Sequence, residues 1–347
     1  MRTVLLILFA VISVLGAPKK SNVSKPNLIA QVPTDAGAID LKEQNFWAIA
    51  VINQLVHFRL DPLKELNTLS EERLIAYLPE ILETDPVEGE KYKTVGQTTG
   101  ASHLLNQKFE ISQRDKVLHY YIEIVTTDDK NVITNIESAI PLDRFASGID
   151  SVLFTALKAL CPKINTETER FFGLPVLSNN LKNLKQYGDI LHQQKLKKLD
   201  DLQIARESEK IIEKDPLMLL TYYTCGPAYF RAKQYTKSAK YIKELLDLTP
   251  IHTALFLTLA QSYRLSGHFQ DALNVIIQCE NNRIRSIPFM LEKAMAFDGM
   301  GQRGSALNTY QQILSLNPKQ PHALLYIAKQ RNDEANFVEA IKLSSTL

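Results

Sequence analysis

Through the second half of the chain the same residue types return every 34 positions. Pro216, Pro250 and Pro318 share one such grid, and Ser238, Ala272, Ala306 and Ala340 a second. Gly226, Ala260, Ala294 and Ala328 make a third, and Tyr229, Tyr263 and Phe297 a fourth. A chain with this period has to fold as a stack of like units, because each unit leaves an apolar face that only its neighbour covers. The spacing within a unit predicts two helices joined by a turn. Small residues let the helices approach closely and the aromatic fills the groove between them. Proline, with no N–H to give, stops one unit and starts the next. The predicted units are a degenerate leading one over 181–216, three better ones at 219–252, 253–286 and 287–320, and a final helix pair over 321–347. Ile284 stands where its neighbours carry proline, which predicts an irregular exit turn there.

These residues resemble the tetratricopeptide repeat (TPR) family. The resemblance implies a concave face lined by the first helix of each unit, used to bind proteins rather than to do chemistry. Mapped onto those helices, the grid selects Tyr223, Phe230 and Arg231 from one unit, Leu257, Gln261 and Arg264 from the next, and Leu291, Met295 and Asp298 from the third. That is an apolar groove edged by two arginines, suited to a segment with apolar anchors and an acidic group near Arg231 and Arg264. Some family members clamp a C-terminal carboxylate with a Lys/Asn/Arg set, which the matching positions here do not supply.

Residues 28–160 have a different texture, mixed α and β. Strands are predicted at 28–32, 102–112, 117–126 and 132–139, with polar turns at 113–115 and 128–131. Helices are predicted at 46–58, 70–82, more weakly at 92–103, and at 149–160. Along 118–124 the alternation puts Leu118, Tyr120, Ile122 and Ile124 on one face. The run Gly100-Ala101-Ser102-His103-Leu104-Leu105, then Phe109, Tyr120 to Val125, Asp128-Asp129-Lys130 and the closing helix resemble the amino-terminal domain family of TolB-type proteins. That likeness implies a structural or protein-contacting module. The sequence departs from it in the leading strand, which has no clear apolar run. Residues 161–180 are read as a linker. The fold class expected is α+β, a small N-terminal α/β domain followed by an all-α helical-hairpin solenoid.

The first residues read as a secretory signal. Arg2 supplies the charged start, Val4 to Leu15 is apolar or small, and cleavage is expected after Gly16, giving a signal peptide over 1–16. The apolar run of about 12 residues is shorter than the roughly 20 needed to span a bilayer. Residues 17–27 are a polar leader in which Asn22-Val23-Ser24 is a glycosylation sequon if the host is eukaryotic. The expected location is therefore outside the cytoplasm, in a bacterial periplasm or envelope or secreted.

The chain offers little chemistry. Net charge is +2 with 22% charged residues, and no basic cluster points to nucleic acid. The seven histidines show no metal-ligand spacing, and His119 reads as a surface residue of a strand. Gly299, Gly301 and Gly304 superficially suggest a phosphate loop but fall in the turn between two repeat helices. Asp128 and Asp129 supply too few oxygens for calcium. Cys161, Cys225 and Cys279 form neither a disulfide framework nor a zinc set, and the last two read as small buried hydrophobes. No cofactor is implied. The reading is a non-enzymatic scaffold or adaptor for a protein or peptide partner. The alternatives are a self-assembling structural envelope protein and a sensory subunit that binds a small molecule in its N-terminal domain.

Overall fold

The computed structural model describes residues 27–31, 46–63, 66–69, 74, 91–112, 114–162, 164–178 and 180–333. The expected signal segment, the leader up to residue 26, nearly all of the expected helix at 70–82, and the grid residue Ala340 lie outside the described residues.

Five strands make one sheet: β1 (Asn27–Gln31), β2 (Leu66–Leu69), β3 (His103–Ser112), β4 (Val117–Thr126) and β5 (Val132–Pro141), in the order β2-β1-β3-β4-β5. β1 runs parallel to β2 and to β3, and β3, β4 and β5 are antiparallel. Parallel neighbours need a crossover. The helix α1 (Phe46–Leu60) supplies it between β1 and β2, and α2 (Lys91–Thr99) precedes β3. After β5 a single 3-10 turn, Leu142–Arg144, leads into α3 (Phe145–Leu160), four residues earlier than the apolar spacing alone suggested. β2 was not foreseen. Four residues are too few to show an alternation, and its place is set by its pairing with β1.

The strand alternation sorts the two faces. Ile29, Leu105, Phe109, Leu118, Tyr120, Ile122 and Ile124 pack into the main core with α1 and α3. Ala30, Leu104 and Val125 form a smaller core on the other side with Val95 of α2. The leading strand thus does carry a core, one residue to each face, which is how a parallel strand covered on both sides reads.

A short helix α4 (Thr166–Phe172), capped by Asn165 accepting from the Thr168 amide at 2.8 Å, lies within the segment read as a linker. Helical hairpins follow: α5 (Leu181–Lys195) with α6 (Asp201–Lys214), α7 (Leu219–Arg231) with α8 (Tyr235–Leu248), α9 (Thr253–Leu265) with α10 (Phe269–Asn281), α11 (Ile287–Gly299) with α12 (Arg303–Leu316), and then α13 (Pro321–Asp333). This is the α+β architecture expected, a TPR-like helical array behind a small sheet unit. Among the described residues no helix is long and apolar enough to cross a membrane.

The turn inside each hairpin explains the aromatic grid. Lys233, Gly267 and Gly301 have φ of 59°, 84° and 74°. The next amide in each case, of Gln234, His268 and Gln302, bonds back to the carbonyl of Tyr229, Tyr263 or Phe297 at 2.8–2.9 Å. This is a left-handed helix stop, which suits glycine. Gly299 and Gly304, grouped with Gly301 in the sequence, are helical instead. Gly299 leaves room for the Phe269 ring, which an added Cβ would meet at 2.3 Å. Ile284, in place of proline, closes α10 by the same device, with Arg283 at φ 61° and the Ile284 amide bonded to the Cys279 carbonyl at 2.9 Å. Lysine at position 233 is strained in a conformation that glycine adopts freely. Lys233→Gly is expected to stabilise the protein by about 0.5–1 kcal/mol, read as a higher denaturant midpoint at an unchanged slope.

One core joins the sheet to the array. It contains Ile122 of the sheet, Leu55 of α1, Tyr187 of α5, Tyr229 of α7 and Leu259 of α9. α1 makes this possible because it is buried nearly all round: Trp47, Ala48, Val51, Ile52, Leu55, Val56, Phe58, Arg59 and Leu60 are all inside. A helix apolar on every side must be covered on every side. Here the sheet lies on one side and α5 on the other. Gly188 of α5 permits this approach, since a Cβ there would lie 2.3 Å from the Trp47 carbonyl oxygen.

The charged exception is Arg59, which has no exposed surface. Its Nε and Nη2 donate to the two carboxylate oxygens of Asp150 on α3, at 2.8 and 2.6 Å. Nη1 donates to the carbonyl of Phe171, and Nη2 also donates to that of Leu174 at 2.8 Å. The guanidinium carbon lies 4.8 and 5.3 Å from the ring centres of Phe171 and Phe172. Burial raises the Asp150 carboxyl above the ordinary carboxylate value, and Arg59 opposes that rise. One side chain thereby ties α1, α3 and α4 together.

Candidate binding groove

The first helices of successive hairpins pack closely on one another, α7 against α9 and α9 against α11, more so than the second helices do. The stack therefore curves with the first helices on its inner side, where the groove residues were placed from the sequence.

Part of that inner side is already filled by the chain itself. α1 packs against it at both ends. The ring of Phe46, at its start, stacks on His192 near the end of α5 at 4.8 Å. Phe58, at its other end, sits 5.1 Å from Tyr223 of α7 and 4.4 Å from His252, which precedes α9. Tyr223 is thus a contact for α1, and its burial, with the Asp61 carboxylate nearby, pushes the hydroxyl well above the usual tyrosine value. Leu257 is half-buried at the edge of the same core.

The two arginines have partners. Arg231 is exposed and its Nε donates to Asp201 at 2.7 Å. Arg264 donates to the buried Glu292 at 2.6 Å, and Gln261 donates to the other oxygen of that carboxylate at 3.3 Å. Phe230 packs on Tyr235 at 5.7 Å. Leu291 and Met295 are half-buried against a separate cluster formed by Ala294, Tyr310, Ile313 and Ile327. Asp298 is exposed and accepts from the Tyr326 hydroxyl at 2.9 Å.

Sequence reasoning missed Leu325, although the 34-residue grid points to it. Tyr223, Leu257, Leu291 and Leu325 occupy one position in four successive first helices. The first is covered by α1, the next two are half-buried, and Leu325 is 59% exposed. Among the described residues the apolar row over α9, α11 and α13, flanked by Gln261, Arg264 and Asp298, thus grows more exposed away from α1.

The junction where α1 meets the array holds His252, fully buried among Phe58, Tyr223 at 5.4 Å and Phe171 at 5.6 Å. Among the described residues neither ring nitrogen has a hydrogen-bond partner. The nearest acidic group, Asp61, stands 4.0 Å from Nδ1.

Elsewhere the chemistry-bearing residues are structural or solvated. Cys225 and Cys279 are buried in helix contacts, and burial pushes the Cys279 thiol up to about 11 and that of Cys225 higher still. His119 is exposed on β4. Among the described residues no group of three or more His, Cys, Asp or Glu is placed to hold a metal ion.

No family model matches the chain, and no curated protein matches it. Among solved structures it is similar to MamA at 18% identity, covering 44% of this chain and 90% of that one, with a TM-score of 0.39. A thermophilic TPR protein of Thermus thermophilus is similar at 17% identity, over 47% of this chain and 88% of that one, with a TM-score of 0.33. A third, MamA from AMB-1, matches at 16% identity over 48% of this chain and 90% of that one, with a TM-score of 0.39.

Proposed function

We propose that this protein is a non-enzymatic scaffold that holds a segment of a protein partner in the open part of its inner groove, over α9, α11 and α13. The observation that carries the reading is the apolar row Leu257, Leu291 and Leu325, whose first two side chains are half-buried and whose last is 59% exposed. Solvent-facing leucines at one repeat position are a cost to a soluble chain unless something covers them. The flanking polar side chains favour apolar anchoring over charge: Arg264 is engaged by Glu292 and Arg231 by Asp201. The proposal includes export, supported by the apolar run ending at Gly16. The likeness of the sheet unit to the TolB-type module is part of the same reading, with that unit acting as a structural support for the groove.

The test is crosslinking in the native envelope fraction, followed by purification of the wild type and of a Leu291→Ala, Met295→Ala, Leu325→Ala variant. All three side chains are partly solvent-facing, so the variant is expected to keep the wild-type circular dichroism. Loss of a partner by tenfold or more is expected, as for truncation of a small apolar hot spot. Equal recovery of every crosslinked protein by both would overturn the groove assignment.

A further inference from the structure

A buried histidine with no hydrogen bond is an unusual thing to leave at the junction of two halves of a protein, since each buried polar group without a partner costs stability. The neutral ring of His252 is held there by the three aromatic rings around it. A charged ring would fare worse. The ionisable groups facing it are His57, Arg59 and Asp61 from α1 and the turn after it, and Tyr223 from α7. α4 presents the Phe171 ring, and Asp150 of α3 reaches the cluster through Arg59. Burial, which lowers the pKa of His252, outweighs Asp61, the one neighbour that favours the proton, while His57 and Arg59 oppose it.

We propose that His252 is an acid-sensitive latch between the two halves: near neutrality its uncharged ring locks α1 and the sheet to the helical array, and on acidification its protonation uncouples them. The direction follows from linkage. Uncoupled, the imidazole meets water and takes a proton around its ordinary value of about 6.5; docked, it resists. The lock is at full strength above that value. It weakens as pH falls below it, by up to tenfold in the docking equilibrium for each unit until the docked ring also protonates. The inference goes beyond the scaffold reading and does not depend on it.

The chain carries its own reporter. Trp47, its single tryptophan, is 3% exposed on α1, facing Phe145 and Lys185. Denaturant unfolding of the full chain is followed by Trp47 emission and by far-ultraviolet circular dichroism, at about pH 8 and about pH 5. The two transitions are expected to coincide at the higher pH, while at the lower pH the Trp47 transition comes first. In His252→Phe they are expected to coincide at both, and in Asp61→Asn the acid separation is expected to widen. Coincident transitions at both pH values in the wild type, or the same separation in His252→Phe, would overturn the latch. Should His252→Phe not fold, the His252 ring signal followed by NMR in the intact protein decides. Titration below the ordinary histidine value supports the latch, and titration at or above that value overturns it.

Discussion

Arg59→Ala is expected to lower stability by about 3–5 kcal/mol, the loss typical of breaking a buried ion pair from one side. The mutation leaves the Asp150 carboxylate inside the protein without its two charge-assisted bonds. It also strands the Phe171 and Leu174 carbonyls and empties the space between Phe171 and Phe172. Asp150→Ala should cost a similar amount, because it leaves the guanidinium buried and half-bonded. Arg59→Met with Asp150→Leu should recover the part of the loss that comes from the unpaired buried charge, while the Phe171 and Leu174 carbonyls stay without donors. A double-mutant cycle from denaturant midpoints checks the set. A strongly favourable coupling between the two positions is expected, and additive losses would mean that the pair is not the tie between α1, α3 and α4.

Gly188→Ala should be the next most damaging, by up to about 2 kcal/mol net, for a reason of space. The new methyl would sit 2.3 Å from the Trp47 carbonyl oxygen and 2.7 Å from its Cα, and backbone of one helix cannot step aside without moving the whole of α1. Overpacking of this kind costs about 1–3 kcal/mol. It outweighs the roughly 1 kcal/mol that alanine gains over glycine in a helix interior. Gly226→Ala is the internal control. Its Cβ would meet Cγ1 of Ile242 at 2.5 Å, a side-chain atom able to shift, and alanine already stands at the matching positions 260, 294 and 328. The expected change there is under about 1 kcal/mol. A Gly188→Ala protein as stable as the wild type, by thermal or denaturant unfolding, would mean that α1 and α5 are not in close contact.

Both predictions turn on α1, and α1 marks the limit of what the sequence made legible. The hairpins could be placed almost to the residue, because a 34-residue period repeats its own signal: prolines between hairpins, small residues at the close approaches, aromatics one turn before each left-handed stop. Of the strands, β4 was plain from the alternation over 118–124, and β3 and β5 were placed by the polar turns on either side of it. What one unit does to another left a fainter trace. The helix over 46–58 was legible from its apolar spacing; that it is buried nearly all round, and that α5 covers its second side, a single sequence does not say. Tyr223 was read as lining the groove, and in the fold it packs against Phe58 and His57 of α1. Arg231 and Arg264 looked available, and their acidic partners, Asp201 and Glu292, lie 30 and 28 residues away on neighbouring helices. Leu325 was within reach of the grid and needed only one more step along it. His252 had no signal at all, since its burial is created by α1 and α4 closing over the start of α9.

The central structural claim is that α1 is seated across the first helices of the array and shares their core. Native-state hydrogen exchange of the full chain tests it most directly. Amides of residues 46–60 are predicted to exchange as slowly as those of α5 and α7, in the same cooperative unit. Exchange of α1 far faster than theirs, with α5 and α7 still protected, would contradict the account and leave the whole inner groove open.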